Sequence, residues 1–297
     1  MLKGTYVFKE NGLEVGRSEN IITTNGKTAI LQYLSGSLSE WASQLAVGAM
    51  SSTPALTDLA LNFEIARSAV TLKSFKVGTP NLLVVKGTLD ASVAANIYEV
   101  GVFSSNTSNI FGTRDRLIID DFSILNNWTT ASGSYTSVPF NPQNSISPRV
   151  GLYSLTLAPN TQIDNTNYYL NLSSYSSLDT LDILVDINSG NSGTLNVLFT
   201  DINGNTSNVS YSFDGGLGGY QILSSPLPSN LSSLSAISSI SISNSGSTST
   251  INVDAIKIGV FGEIVSSAGI VSRSVLSTPI AKTYGIPLDI EYYLQLT

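Results

Sequence analysis

Residues 118–260 of this 297-residue chain contain two basic side chains, Arg149 and Lys257, and no Glu. Their nine Asp residues leave the block at −7, the charge of the whole molecule. The segments on either side hold twelve basic and twelve acidic groups and sum to zero. A step in surface chemistry at both ends of a block points to one domain inserted into another, since each domain solvates its own surface. The expected organisation is a discontinuous domain, 1–117 with 262–297, carrying an insert, 118–261.

The insert alternates apolar and polar residues in short runs at 150–157, 167–172, 181–187, 194–200, 208–213, 219–223, 237–243 and 250–260. Turn sequences such as Asn203-Gly204 and Asp214-Gly215-Gly216 space them as in an antiparallel sandwich or jelly roll. The flanks also alternate. Asn11-Gly12 predicts a tight hairpin, and 68–77, 82–90 and 97–103 read as strands. One helix is predicted over 27–34, with Ala29, Ile30, Tyr33 and Leu34 on one face and Gly36 as its stop. The fold class is therefore mainly β: a small β-sandwich with one helix built from both chain ends, plus an inserted antiparallel jelly roll.

Composition excludes several chemistries. The chain has no Cys and no His. Disulfides, thiolate or imidazole metal sites and Ser–His or Cys–His nucleophilic catalysis are therefore ruled out. No apolar run reaches the roughly 18 residues of a membrane-spanning helix. The first residues read as a strand rather than a signal peptide, so synthesis in a cytoplasm without export is expected. The acidic balance argues against nucleic acid as a partner, which needs a basic footprint.

Several flank motifs occur in a fixed order. Asn20-Ile-Ile-Thr-Thr-Asn-Gly26 leads into the helix, and Leu45-Ala-Val-Gly48 follows. Then come Leu59-Ala-Leu61 with Glu64 and Arg67, Glu99-Val-Gly101-Val-Phe103, Ile110-Phe111-Gly-Thr-Arg114, and finally Thr278-Pro-Ile280-Ala-Lys282 with Leu288 to Tyr292. This order resembles a virion structural module of tailed bacteriophages, found in tail-fibre, baseplate and related appendage proteins. The resemblance implies a non-enzymatic virion component whose flanks bind other virion proteins and sister subunits. An acid beside a buried strand is costly without a counter-charge, so Glu64 or Glu99 is expected to pair with Arg67 or Arg114 as a structural ion pair.

In the insert, Asp120-Asp121-Phe122, Asn127-Trp128 and Gly151-Leu-Tyr153-Ser-Leu155, with Ile251-Asn-Val-Asp254-Ala-Ile-Lys-Ile258 at the far end, resemble carbohydrate-binding-like jelly rolls. The resemblance implies a displayed module with host surface polysaccharide as its partner. Trp128, Tyr135, Tyr168, Tyr169, Tyr175 and Tyr220 are the available aromatics. Trp128 fits a buried position, and Tyr135, Tyr168 and Tyr220 are the loop-placed candidates for stacking a sugar ring. Opening and closing strands are neighbours in such folds, so Asp120, Asp121 and Asp254 are candidates to share one structural Ca²⁺. The alternative is that these carboxylates cap turns. No other cofactor is expected.

Two further functions remain open at this point. One is a capsid decoration or head-fibre protein without a receptor role. The other is a polysaccharide-degrading enzyme, which needs a carboxylate pair across a groove. The nearest candidates for such a pair, Asp120/Asp121 and Asp179/Asp182/Asp186, read as turn and edge-strand residues.

Overall fold

The structure, a computed structural model, describes residues 2–105, 118–142, 148–173, 175, 177, 179–216, 218–231, 236–245, 248–259 and 269–296. It has the mainly β, antiparallel architecture expected from the alternation. The chain divides into two compact units. The first comprises Met1–Thr113, Asn141–Arg149 and Glu263–Thr297, and the second Arg114–Phe140 and Val150–Gly262.

In the first unit, β1 (Leu2–Glu10) turns through Asn11-Gly12, both at positive φ, into β2 (Leu13–Glu19). β3 (Ile21–Ile22) leads into the one α-helix among the described residues, α1 (Thr24–Leu34), and β4 (Gln44–Gly48), β5 (Glu64–Lys76), β6 (Thr79–Leu89) and β7 (Ala95–Phe103) follow. The insert contributes β8 (Ile118–Asp120), β9 (Trp128–Ser132), β10 (Tyr135–Pro139), β11 (Tyr153–Leu157), β12 (Thr161–Asn165) and β13 (Thr180–Ile187). It continues with β14 (Ser192–Asp201), β15 (Thr206–Asp214), β16 (Gly219–Pro226), β17 (Ile237–Ser245) and β18 (Ile251–Gly259). β19 (Ile270–Lys282) and β20 (Leu288–Leu296) return to the first unit.

The first unit is one antiparallel sheet in the order β2-β1-β20-β6-β5-β4-β7-β19-β3. β7 and β19 are hydrogen-bonded neighbours with the whole insert between them in sequence, Val275 opposite Glu99 and Arg273 opposite Gly101. The sheet is nearly closed on itself: from β19, Ser274 Oγ donates to the Glu19 carbonyl at 2.5 Å, at the end of β2. Its core gathers Tyr6, Phe8, Trp41, Leu45, Ile97, Val100 and Tyr292, with the Tyr6 and Tyr292 ring centroids 4.8 Å apart.

Helix α1 begins where Thr23 caps it, the Gly26 N–H donating to Thr23 Oγ1 at 2.9 Å. It buries Gly26 and Ala29. The expected apolar face holds at Ala29 and Ile30 but not at Tyr33 and Leu34, which are exposed. Its N-terminus is held against β19 through Thr23 and Val271, and Ile30 packs against the core of the sheet.

The second unit is a two-sheet sandwich. One sheet runs β10-β11-β18-β13-β16, with β8 beside β18, and the other β15-β14-β17-β12-β9. Strict alternation, clearest in β15 where every second residue is buried, sends Val209, Tyr211 and Phe213 inward. They meet Val197, Phe199, Ile240, Ile242, Ile183, Val185 and Val253 in one core.

Four expectations are corrected. Residues 167–172 form no strand, only a bridge from Leu170 to Ile237. The strand expected from 150 starts at Tyr153, because Gly151 turns at φ +70°. β13 is flanked by β18 and β16, so Asp182 and Asp186 are not on an edge strand. Lastly, Asn141–Arg149 falls in the first unit rather than the insert. There Arg149 Nη1 donates to the Ala49 carbonyl at 2.8 Å, and its guanidinium stacks 3.9 Å from the Tyr98 ring centroid. Lys257 is then the one basic residue of the second unit among the described residues, and it is buried.

Candidate functional site

The structural ion pairs come first, because they fix the frame. Glu64 and Arg67 lie on β5 and form a two-pronged pair, Nε to Oε1 and Nη2 to Oε2, each at 2.8 Å. Arg67 also donates to Gln44 and lies over the Phe103 ring. Glu99 takes a partner other than the expected Arg67 or Arg114. Arg273 Nη2 and Nε reach its Oε2 at 2.7 and 3.0 Å. Arg114 lies outside the described residues.

In the second unit the candidates separate. Asp120, Asp121 and Tyr168 line one cavity of about 430 Å³, together with Asn127, Asn165 and Asn167 and the aliphatic Ile118 and Ile124. Strand β8 ends at Asp120, and the chain then turns through Phe122 at φ +53°. Each carboxylate is held by the N–H two residues on: Phe122 to Asp120 Oδ1 at 2.7 Å and Ser123 to Asp121 Oδ1 at 3.0 Å. These are Asx turns, the local geometry an Asp favours at a chain reversal. Asp120 Oδ2 also accepts from Trp128 Nε1 at 3.2 Å, and the Tyr168 hydroxyl donates to the Ile119 carbonyl and lies 3.4 Å from Asp120 Oδ2.

Burial pushes the Asp120 carboxyl up to about 6, and the charge of Asp121 adds to the rise. The Phe122, Trp128 and Tyr168 donors pull against it without cancelling the desolvation. Burial likewise raises the Tyr168 hydroxyl far above its ordinary value, with Asp120 adding to it.

Asp254 does not join the other two Asp residues. It is buried, its Oδ1 accepts the Val150 N–H at 3.2 Å, and no metal-holding group of three or more His, Cys, Asp or Glu occurs among the described residues. Asp120 lies opposite Ile256, and Asp254 sits at the irregularity where Ala255 and Val253 pair with consecutive residues of β13.

The two remaining candidate aromatics, Tyr135 and Tyr220, are on strands, not loops. Tyr135 opens β10, packs against the core and donates to the Trp128 carbonyl at 3.2 Å. Tyr220 is on β16, directly opposite Asp186, which in turn lies opposite Asn252. Trp128 is buried against Phe122, ring centroids 5.4 Å apart. The most exposed aromatic among the described residues is Tyr169, at 83%, next in the chain to the cavity's Tyr168. The sequence reading missed Asn127, Asn165 and Asn167. In a chain so rich in Asn, no local pattern marks the three that converge.

What this cavity offers is a set of carboxylate and amide groups around a small space, with an aromatic edge beside it. Its volume lies at the small end of the range for ligand sites. Paired hydroxyls are the ligand groups that such acceptors and donors match.

No protein-family model matches the chain, and no curated protein matches it. Among solved structures similar to it is the enzymatically active domain of tailspike protein 4 of bacteriophage CBA120, at 16% identity and a TM-score of 0.30, covering 47% of this chain and 20% of that one. Another is the family 11 carbohydrate-binding module of Clostridium thermocellum in complex with a mixed-linked tetrasaccharide, at 16% identity and 0.33, covering 48% and 94%. A third is the family 11 module of a cellulosomal cellulase of Clostridium thermocellum, at 15% and 0.34, covering 50% and 96%. This chain spans about a fifth of the tailspike domain it matches. Similarity at this level carries no functional argument.

Proposed function

We propose that this chain is a non-enzymatic attachment protein of a tailed-phage virion, in a tail fibre or baseplate-proximal appendage. The unit built from both chain ends holds it to the particle and to sister subunits. The inserted sandwich is displayed and binds a neutral host-surface glycan in the cavity around Asp120 and Tyr168.

One observation carries this reading. Among the described residues, twelve of the fifteen exposed large hydrophobic side chains belong to the first unit, including Leu13, Leu34, Phe75 and Val77. Only Ile124, Tyr169 and Ile202 belong to the second. Leu72, Phe75 and Val77 are gathered at one hairpin tip, and a contiguous exposed apolar patch marks a surface that a partner covers. The second unit instead carries Ser, Thr and Asn on its outer strands, as in Thr206, Asn208, Ser210 and Ser212 of β15, all exposed. That chemistry suits permanent exposure to water. The adjacency of β7 and β19 lets the anchoring sheet close whatever the insert contains.

Asp120 and Asp121 support a binding role over a catalytic one. They are neighbours in one turn, both committed to backbone N–H groups. They do not face each other across a groove as hydrolytic carboxylates do.

Binding of the full chain to host cells and to purified surface polysaccharide tests the reading. Saturable binding is expected, weakened about tenfold or more by Tyr169→Ala and by Asn167→Ala, that is, about 1.4 kcal/mol or more each. A folded chain that binds nothing would move the insert to a decoration role without a receptor. Loss of polysaccharide viscosity on adding pure protein would overturn the non-enzymatic assignment.

A further inference from the structure

Two features stand at opposite ends of the first unit's sheet. At one end the β5–β6 hairpin closes on a two-residue turn, Val77-Gly78, with Lys76 opposite Thr79. Val77 is 98% exposed, Leu72 and Phe75 are exposed beside it, and the hairpin tip from 71 to 83 contains two lysines and no acid. Lys73 pairs with Glu40 at 2.6 Å. Lys76 makes no ion pair among the described residues and lies only loosely over the Tyr293 ring, at 5.5 Å.

At the other end is a cavity of about 360 Å³ walled by Val15, Pro142, Pro279 and Ile280, with one carboxylate, Glu10. Glu10 Oε1 is buried and has no hydrogen-bond partner among the described residues. Lys282, which feels the charge of Glu10, gives its Nζ to the Val93 and Thr283 carbonyls, at 2.9 Å each. A buried carboxylate oxygen without a donor is costly, and apolar walls around it leave room for an aliphatic stem that ends in a cation.

These two ends cannot meet within one chain. Phe75 lies opposite Leu83, Leu83 opposite Leu294, and Leu294 opposite Gly4, whereas Lys9 lies opposite Asp289 at the far end of β20. The separation is on the order of 20–30 Å at the rise of a strand. We propose that the β5–β6 tip of one copy docks into the Glu10 cavity of a second copy of this chain, Val77 filling the apolar pocket and Lys76 pairing with Glu10. The contact is head-to-tail, so it propagates into a closed ring or a filament. The inference rests on the anchoring role of this unit and not on what the insert binds.

Sedimentation velocity of the full chain over a range of concentrations is the test. The wild-type chain is expected to assemble, with Val77→Asp and Lys76→Glu each weakening assembly about tenfold or more. The double variant Glu10→Lys with Lys76→Glu is expected to recover assembly that Lys76→Glu alone loses. Val77 and Lys76 are at an exposed turn, so unchanged melting of their variants confirms that folding is intact even if Glu10→Lys fails to fold. A wild-type chain that stays monomeric, or assembly indifferent to both tip substitutions, overturns the proposal. So does a wild-type chain that is monomeric alone and seats its hairpin on a different virion component. Assembly is read without glycan, so its failure and a failure of glycan binding are distinguished.

Discussion

Arg273 on β19 and Glu99 on β7 meet in the interior of the first unit, Nη2 to Oε2 at 2.7 Å, with both residues buried. Arg273 Nη1 also reaches Asp58 at 2.7 Å and Nη2 reaches Ser52 Oγ at 3.0 Å. Glu99 accepts the Phe63 N–H at 3.0 Å and the Asn62 N–H at 3.2 Å. One guanidinium thus fastens the segment after β4 onto the strands that flank the insertion. Removing it strands a buried carboxylate, a loss of about 3–5 kcal/mol. Arg273→Ala should lower the melting temperature on the order of 10 °C, and Arg273→Lys should recover little, since an ammonium cannot reproduce the fork. A melting temperature within a degree or two of wild type would remove the network from the stability of the fold.

Asp120 gives the insert a pH signature. Its folded pKa is about 6, against an ordinary value near 3.8. Between those values the folded chain keeps a proton that the unfolded chain has released. The stability is therefore present below about pH 4 and lost as pH rises to about 6, by about 3 kcal/mol at most. Asp120→Asn cannot titrate. Thermal melts at intervals from pH 4 to 7 should show a steeper fall for wild type than for the variant, and parallel curves would contradict the assigned burial.

Gly26 packs where a Cβ would run into the Val271 carbonyl. Since Gly26 and Ala29 are the buried residues of α1, Gly26→Ala should loosen the helix at about 1–3 kcal/mol. Hydrogen exchange across 24–34 would report it, and unchanged protection would show that the helix end can shift freely.

The separation of Asp254 from Asp120 and Asp121 bears on metal. Chelation with EDTA should leave the melting temperature within about 1 °C, since a bound ion would contribute through its affinity for the folded state. A drop of several degrees, restored by Ca²⁺, would show that a metal holds the insert together.

Alternation and turn chemistry placed the insert's strands well. The run at 181–187 is β13 from Thr180 to Ile187, and the run at 237–243 is β17 from Ile237 to Ser245. Period two is a local property, and a half-buried strand writes it into consecutive residues. The Asn11-Gly12 hairpin was legible for the same reason, because two left-handed residues in a row suit that dipeptide. Strands β9, β10 and β12 escaped notice. β9 and β10 bury little of their length, and β12 is only five residues long.

By itself the sequence determined the antiparallel β character, most strand positions, the exclusion of thiol and imidazole chemistry, and the polar surface of the central block. These follow from residue type and spacing along the chain. Only the tertiary structure decided that Glu99 pairs with Arg273 across 174 residues, that Arg149 belongs with Tyr98 rather than with the insert, and that Asp120 shares a cavity with Tyr168 and three Asn side chains. It also left Leu34 in solvent although the helical pattern placed it inside. Each of these depends on which strands become neighbours and on what lies opposite a given face, and no window of consecutive residues contains both partners.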